Sequence, residues 1–309
     1  MKAKSIISHE CNRLTPPVGL NNLGATCYLN VLVQSLYHNL LIRDSIMNMT
    51  LPDRGLHNLT SINDLDASIK MSAVLLALQT TFSFMSESLE KTYNLQYFVG
   101  IWLKFLYSQR ILKLIYLELL GLDRGEQQDP QEFSKLFVCR IESLNVSSRD
   151  DSYTSLSSLL LGSFTYRVTC NECRSSPTPR VSAFLELDVN IDGQTTLKEA
   201  LASIFKDELL EGENMYECSR CEGKRNAVRS TTLKSLPSVL SLQLLRYVYD
   251  RVSGQKKKLK TPISFPSNLS LSDSSSSKPS NYRLVSVLYH KGGSAYGGHY
   301  VSEVFQSNK

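Results

Sequence analysis

Residues 19–41 read GLNNLGATCYLNVLVQSLYHNLL, in which small, turn-forming residues lead into a cysteine and apolar residues then recur at Leu29, Leu32, Val33, Leu36, Tyr37, Leu40 and Leu41. That spacing predicts an amphipathic helix that starts at Cys27 and runs to about Ile46. A helix start carries partial positive charge from its unpaired N–H groups, which favours an anionic sulfur. Gly24 and Ala25 give the backbone room to turn, and Asn22, five residues upstream of the thiol, is a neutral amide donor. Folded back, its NH₂ reaches an oxygen on a carbonyl under attack by the sulfur, which would be an oxyanion hole. A cysteine at a helix start is by itself more often a small buried residue. The nucleophilic reading therefore needs a base.

Outward from that helix, a second helical block is predicted over about Ile69–Leu89, and others over Tyr97–Leu120 and Pro130–Leu144, with Pro130 suited to a first-turn position. After Ser147 the texture changes. LLLGSFTYRVTC, RVSAFLELDVNI, SVLSLQLLRYVYD, YRLVSVLYHKG and HYVSEVF are short, rich in β-branched and aromatic residues, and bounded by Gly, Pro, Ser or Asn. They read as strands. One helical stretch, Leu197–Leu209, interrupts them, and the polar run Ser267–Asn281 reads as a surface loop. The fold class is α+β, with a helical first half and a β second half.

The length of 309 residues predicts one large domain with insertions, or a domain with a subdomain. Against 29 Asp and Glu stand 34 Lys and Arg, an excess of +5 that is too small and too dispersed to make nucleic acid or membrane the main partner. The start, MKAKSIISHECNRLTPP, lacks the apolar core of a signal peptide, so the expected location is the nucleus or cytoplasm. Phe98–Leu120 approaches membrane-spanning length, but Lys104, Gln109, Arg110, Lys113 and Glu118 interrupt it. It is read as a buried or amphipathic helix.

Seven cysteines, an odd number, do not suit a disulfide framework in a reducing compartment. Cys11, Cys27 and Cys139 stand singly, while Cys170-x-x-Cys173 and Cys218-x-x-Cys221 form a matched pair of motifs. Two such turns can complete the tetrahedral shell that Zn²⁺ prefers. With all four positions taken by thiolates no place remains for water, so the zinc would be structural and no catalytic cofactor is expected. Two unrelated turns or redox pairs remain the alternative.

Among the histidines, His9, His38, His57 and His290 have bland settings. His299 differs, because GGSAYGGHY places it after a Gly-rich loop and at the start of the strand Tyr300–Phe305. Glycines there let a substrate backbone approach closely. GLNNLGATCYLN and GGHYVSEV resemble the cysteine and histidine boxes of the ubiquitin-specific protease family, cysteine peptidases that remove ubiquitin. EQQDPQEFSKLF, residues 126–137, is similar to that family's intervening acidic motif, and LPSVLSLQLLRYVYDRVSGQKKKL, residues 236–259, to its palm strand and following loop. The doubled C-x-x-C falls where the family's fingers carry zinc.

This resemblance implies a papain-like fold: an N-terminal extension over 1–17, then a catalytic domain over 18–309 with a thumb at about 18–147, zinc-capped fingers at about 160–235 and a palm at about 236–309. It implies Cys27 as nucleophile, His299 as base and Asn22 as oxyanion donor. It places contacts to the ubiquitin tail at Gln127, Asp129, Tyr247 and Tyr249, and ubiquitin and ubiquitinated proteins become the partners. A carboxylate suits the tail's arginines, and aromatic rings suit a channel for its two glycines. Plain alternation along a strand also puts Tyr247 and Tyr249 on one face, and Asp129 equally suits a cap for the helix at Pro130. Loops 250–258 and 291–298 would border the channel, and the KKKLK run at 256–260 reads as a solvated loop face.

Two features depart from the family's pattern. Its third catalytic residue, an Asp or Asn, lies on the strand after the histidine, whereas only ten residues follow His299 and Asn308 is the lone chemical candidate. A turn at Glu303-Val304 would be needed to bring Asn308 back, and those are poor turn residues. A truncated product is the preferred explanation. The apolar segment 101–119 is extra relative to the family. The reading is a thiol-dependent ubiquitin hydrolase. The alternative is a ubiquitin-binding chain without useful turnover; a zinc-ribbon nucleic-acid binder lacks the concentrated basic face it would need.

Overall fold

The computed structural model describes residues 18–22, 27–50, 67–87, 92–93, 130–142, 147–148, 154–250, 254–293 and 297–305. The helix expected over 97–120, the segment 101–119, Gln127, Asp129 and Asn308 lie outside them.

Six α-helices are described: α1 (Cys27–His38), α2 (Leu40–Asn48), α3 (Ala67–Glu87), α4 (Pro130–Glu142), α5 (Leu156–Leu160) and α6 (Leu197–Ile204). The single helix expected from Cys27 to Ile46 is in fact two. At Asn39 the backbone turns extended, with φ −85° and ψ 106°, and its side-chain oxygen accepts from the Ile42 N–H at 3.2 Å. The short amide competes with the helical ladder and starts a new helix.

Helices α1 to α5 share one core, in which Tyr28, Leu32, Leu36, Ile46, Leu75, Phe82, Phe133, Ile141 and Leu156 are buried. Tyr28 meets Phe133 edge-on, with ring centroids 5.5 Å apart. Polar groups inside this layer have work to do. Gln79 Nε2 donates to the Ile46 and Met49 carbonyls at 2.8 and 2.9 Å, and the Ile46 carbonyl also accepts from the Met49 N–H at the end of α2.

His38, the last residue of α1, sits edge-on to Tyr37, and its Nε2 is buried without a hydrogen-bond partner among the described residues. Burial, and secondarily the Arg43 charge, lower its pKa to about 4. Below the unfolded value of about 6.5 the unfolded chain takes up a proton that the folded chain resists, so stability falls as pH drops from 6.5 to 4 and then levels. With screening at this half-buried site allowed for, the effect is on the order of 1 kcal/mol. His38→Gln should flatten the dependence of melting temperature on pH over that window. Parallel curves for the two proteins would exclude His38 as a source of acid sensitivity.

The second half is β. A four-stranded antiparallel sheet has the order Arg180–Phe184, Gly162–Cys170, Ala227–Ser235, Glu208–Leu210. Its core, with Phe164, Leu187, Val189, Ile191, Leu201 and Leu233 buried, also packs against α6. The helix expected over Leu197–Leu209 stops at Ile204, because Glu208–Leu210 joins the sheet edge opposite Ala227–Arg229. A capping box starts it, with Glu199 N–H on Thr196 Oγ1 and Thr196 N–H on Glu199 Oε2, both at 3.2 Å. The strand expected from Leu159 begins only at Gly162, since Ser155 caps the short α5 ahead of it.

Leu187–Asn190 pairs in parallel with Leu242–Leu245, and Tyr247–Asp250 folds back on Gln255–Lys258. The expected loop Ser267–Asn281 is mostly a hairpin, Asn268–Leu271 with Ser280–Arg283. Its tip is ordered by Asp273, whose carboxylate accepts from the N–H groups of Leu236, Ser275 and Ser276. A last hairpin pairs Ser286–Lys291 with His299–Val304. Among the described residues no helix is long and apolar enough to cross a membrane.

Candidate active site and cysteine cluster

Helix α1 begins at Cys27, which is only 4% exposed. Facing it is the hairpin of Ser286–Lys291 and His299–Val304, tied to α1 by a 2.7 Å hydrogen bond between the hydroxyls of Ser35 and Ser286. Tyr300 packs against the helical core, and alternation along the strand turns its neighbour His299 the other way, where it is exposed. Cys27, His299 and Asn22 thus come from opposite ends of the chain to line one cavity of about 330 Å³. The strand runs unbroken through Val304, so Glu303 and Val304 make no turn.

His290, read from the sequence as bland, buttresses this hairpin. Tyr247 Oη lies 2.8 Å from its Nδ1; Lys258 Nζ lies 2.9 Å from the same atom and donates to the His290 and Gly292 carbonyls at 2.8 Å each. Tyr247 is therefore half-buried with its hydroxyl engaged, while Tyr249, two residues on, is 66% exposed. Sequence reasoning missed this cluster because Lys258 lay in a lysine run that reads as solvated surface.

The buttress makes position 298 intolerant. A Cβ added to Gly298 would overlap His290 Nε2 and Cε1 and the Lys291 carbonyl oxygen. The imidazole is held on its other side, so the strain falls on the residue that follows, His299. Gly298→Ala should slow any reaction that pairs His299 with Cys27 by about 100-fold, the order expected when a reacting group is misplaced by about 1 Å. A value within twofold of the parent would mean that the loop absorbs the methyl group.

At the far end of the long strands, Cys170, Cys173, Cys218 and Cys221 bring their sulfurs within 4.8 Å of one another. The Cys173–Cys218 and Cys170–Cys221 separations are 3.6 and 4.0 Å. A tetrahedral zinc with Zn–S bonds of about 2.3 Å needs sulfurs about 3.8 Å apart. Both turns use the same backbone: the residue after the second cysteine is left-handed in each, Arg174 with φ 56° and Glu222 with φ 52°. Arg225 joins the turns, donating to Glu172 Oε2 at 2.7 Å and to the Cys221 carbonyl at 3.3 Å. Cys173, lowered to about 6 chiefly by the hydrogen bond with the Ser175 hydroxyl, raises the Cys221 thiol beside it. Four thiols at these separations fit a structural zinc.

The described residues combine a mixed α+β fold, a cysteine at a helix start, a histidine lining the same cavity and a four-cysteine cluster. A model of the ubiquitin carboxyl-terminal hydrolase family matches residues 18–309, and the chain belongs to that family. It is 38% identical over 291 residues to ubiquitin carboxyl-terminal hydrolase 48 of Danio rerio, covering 93% of this chain and 25% of that protein. To the hydrolase 48 of Gallus gallus it is 36% identical over 290 residues, covering 93% and 26%. To ubiquitin carboxyl-terminal hydrolase 26 of Oryza sativa subsp. japonica it is 34% identical over 293 residues, covering 93% and 24%. The chain spans about a quarter of the length of the curated relatives it matches.

Proposed function

We propose that this chain hydrolyses the bond after the C-terminal glycine of ubiquitin in ubiquitin–protein conjugates. The observation that carries the reading is the meeting of Cys27, His299 and Asn22 on one cavity in a chain of this family. Cys27 Sγ attacks the glycine carbonyl while His299 takes the thiol proton. Asn22, with backbone N–H groups, holds the oxyanion, and His299 then delivers its proton to the departing lysine amine. Water attacks the resulting thioester, releasing ubiquitin and restoring the thiol.

In this reading the helical layer is the thumb, the hairpins of residues 236–305 are the palm, and the sheet ending in the cysteine cluster forms the fingers. Cys170, Cys173, Cys218 and Cys221 hold a zinc ion that fixes the finger ends and takes no part in the chemistry. The exposed Tyr249 contacts the ubiquitin tail, and Tyr247 supports it through His290. Nucleus and cytoplasm are the expected compartments. Nothing favours the reading of a binder without turnover, since nucleophile and base share the cavity.

The test is turnover of a ubiquitin C-terminal fluorogenic amide, together with covalent capture of ubiquitin bearing a C-terminal electrophile. Turnover with stoichiometric capture supports hydrolysis. Binding of ubiquitin with neither would refute it.

A further inference from the structure

Among the described residues, the segment that carries Asn22 buries Val18 and packs Leu20 against the helical core. Among the described residues its strand contact is the two-residue pairing of Gly19–Leu20 with Thr92–Tyr93. Two carboxamides also reach across to it from α1. Asn30 Nδ2 donates to the Leu20 carbonyl at 3.3 Å and to the Asn21 carbonyl at 3.1 Å, and Gln34 Nε2 donates to the Val18 carbonyl at 2.7 Å. Positions 30 and 34 are one helical turn apart, so the two amides form a row along the same α1 that begins at Cys27. Both also line the cavity with Cys27 and His299.

These amides are bound in one sense only. Turned over, Asn30 would set its oxygen against two carbonyl oxygens. Held as they are, Asn30 Oδ1 and Gln34 Oε1 are buried with no hydrogen-bond partner among the described residues, and Asn30 is only 8% exposed. A buried unpaired acceptor is destabilising, whereas Leu20 and Asn21, whose carbonyls the amide holds, are half-buried and exposed residues. Stability alone would therefore be served as well by an apolar side chain at position 30. What the amide supplies is direction: it fixes the backbone on which Asn22 rides against the helix that carries the sulfur.

We propose that Asn30 is a positioning residue for hydrolysis, setting the Asn22 amide relative to Cys27 Sγ by gripping the Leu20 and Asn21 carbonyls, with Gln34 securing the upstream end at Val18. The inference rests on the reading of Asn22 as an oxyanion donor. An oxyanion hole works only when its donors are placed before the charge develops.

The experiment uses the full chain, the substitutions Asn22→Ala, Asn30→Leu and the two combined, and a ubiquitin C-terminal fluorogenic amide. Asn22→Ala should lower kcat on the order of 100-fold. Asn30→Leu should lower kcat about 10- to 100-fold, with KM within about twofold and an unchanged or higher melting temperature. Added to Asn22→Ala, it should cost less than about threefold more. Capture of ubiquitin bearing a C-terminal propargyl amide, in which sulfur adds to an alkyne and no carbonyl oxyanion forms, should keep its rate in Asn30→Leu. Asn30→Asp, which keeps the volume and removes both donors, should reproduce the kcat loss and decides the matter if the leucine variant does not fold.

A full multiplicative loss in the double variant, a change confined to KM, or an unaltered kcat overturns the proposal while leaving Asn22 in its role. If Asn22→Ala itself keeps kcat, the oxyanion reading fails and this inference fails with it. If neither position-30 variant folds, Asn30 is structural and the proposal is wrong.

Discussion

Replacing Cys27 with alanine is expected to abolish covalent capture of ubiquitin electrophiles and to lower amide turnover by at least about 10⁴-fold, as removal of an attacking atom does elsewhere. Fold and ubiquitin affinity should stay close to the parent. Cys27 is a small side chain, 4% exposed, at the first position of α1, where alanine keeps the backbone and the best helix propensity. The neighbouring Tyr28 and Leu32 carry the packing into the helical core. Mass spectrometry of the captured adduct, titration of ubiquitin binding and a melting curve test the three parts separately. Capture that survives the substitution would move the nucleophile to another cysteine, and a collapse of the melting temperature would turn the result into one about folding.

The second large effect concerns the cysteine cluster. Binding a structural zinc contributes on the order of 10 kcal/mol to small zinc modules at neutral pH. Losing one of four ligands should therefore uncouple the two turns that Arg225 also links. Cys218→Ser is expected to drop bound zinc from one per chain toward zero by atomic absorption. It should also open residues 171–174 and 219–225 to proteases. The β core around Phe164 and the helical core around Phe133 are separate clusters, so the helical layer should keep its protease resistance. Full zinc occupancy in the serine variant would show that the cluster does not bind metal through Cys218. A parent protein that purifies without zinc and resists a chelator unchanged would remove the metal altogether.

The parts of this architecture that could be read from the chain are those whose causes are local. Apolar spacing from Leu29 to Tyr37 sufficed for α1, and the strand texture after Ser147 sufficed for the β half. The doubled C-x-x-C located the cluster because each motif makes its own turn. Misreadings came where a single residue or a distant edge intervened. Asn39 breaks a continuous periodic pattern through one side-chain hydrogen bond, and Leu209 follows the sheet edge at Val228 in place of its own helical propensity.

The supporting polar groups were invisible for a related reason. Asn30 and Gln34 sit inside an apolar pattern that draws attention to its leucines, although two carboxamides one turn apart on a buried helix were a usable signal. His290 looked idle because its partners Tyr247 and Lys258 lie 43 and 32 positions away in sequence.

The pairing of Lys291 with His299 closes the neck of the loop between them, and Lys258 stitches the same neck by holding the His290 and Gly292 carbonyls. A loop clamped at its base can lengthen at a small entropic cost that grows only with the logarithm of its length. An insertion next to Gly293 is therefore expected to leave the His299 imidazole in place.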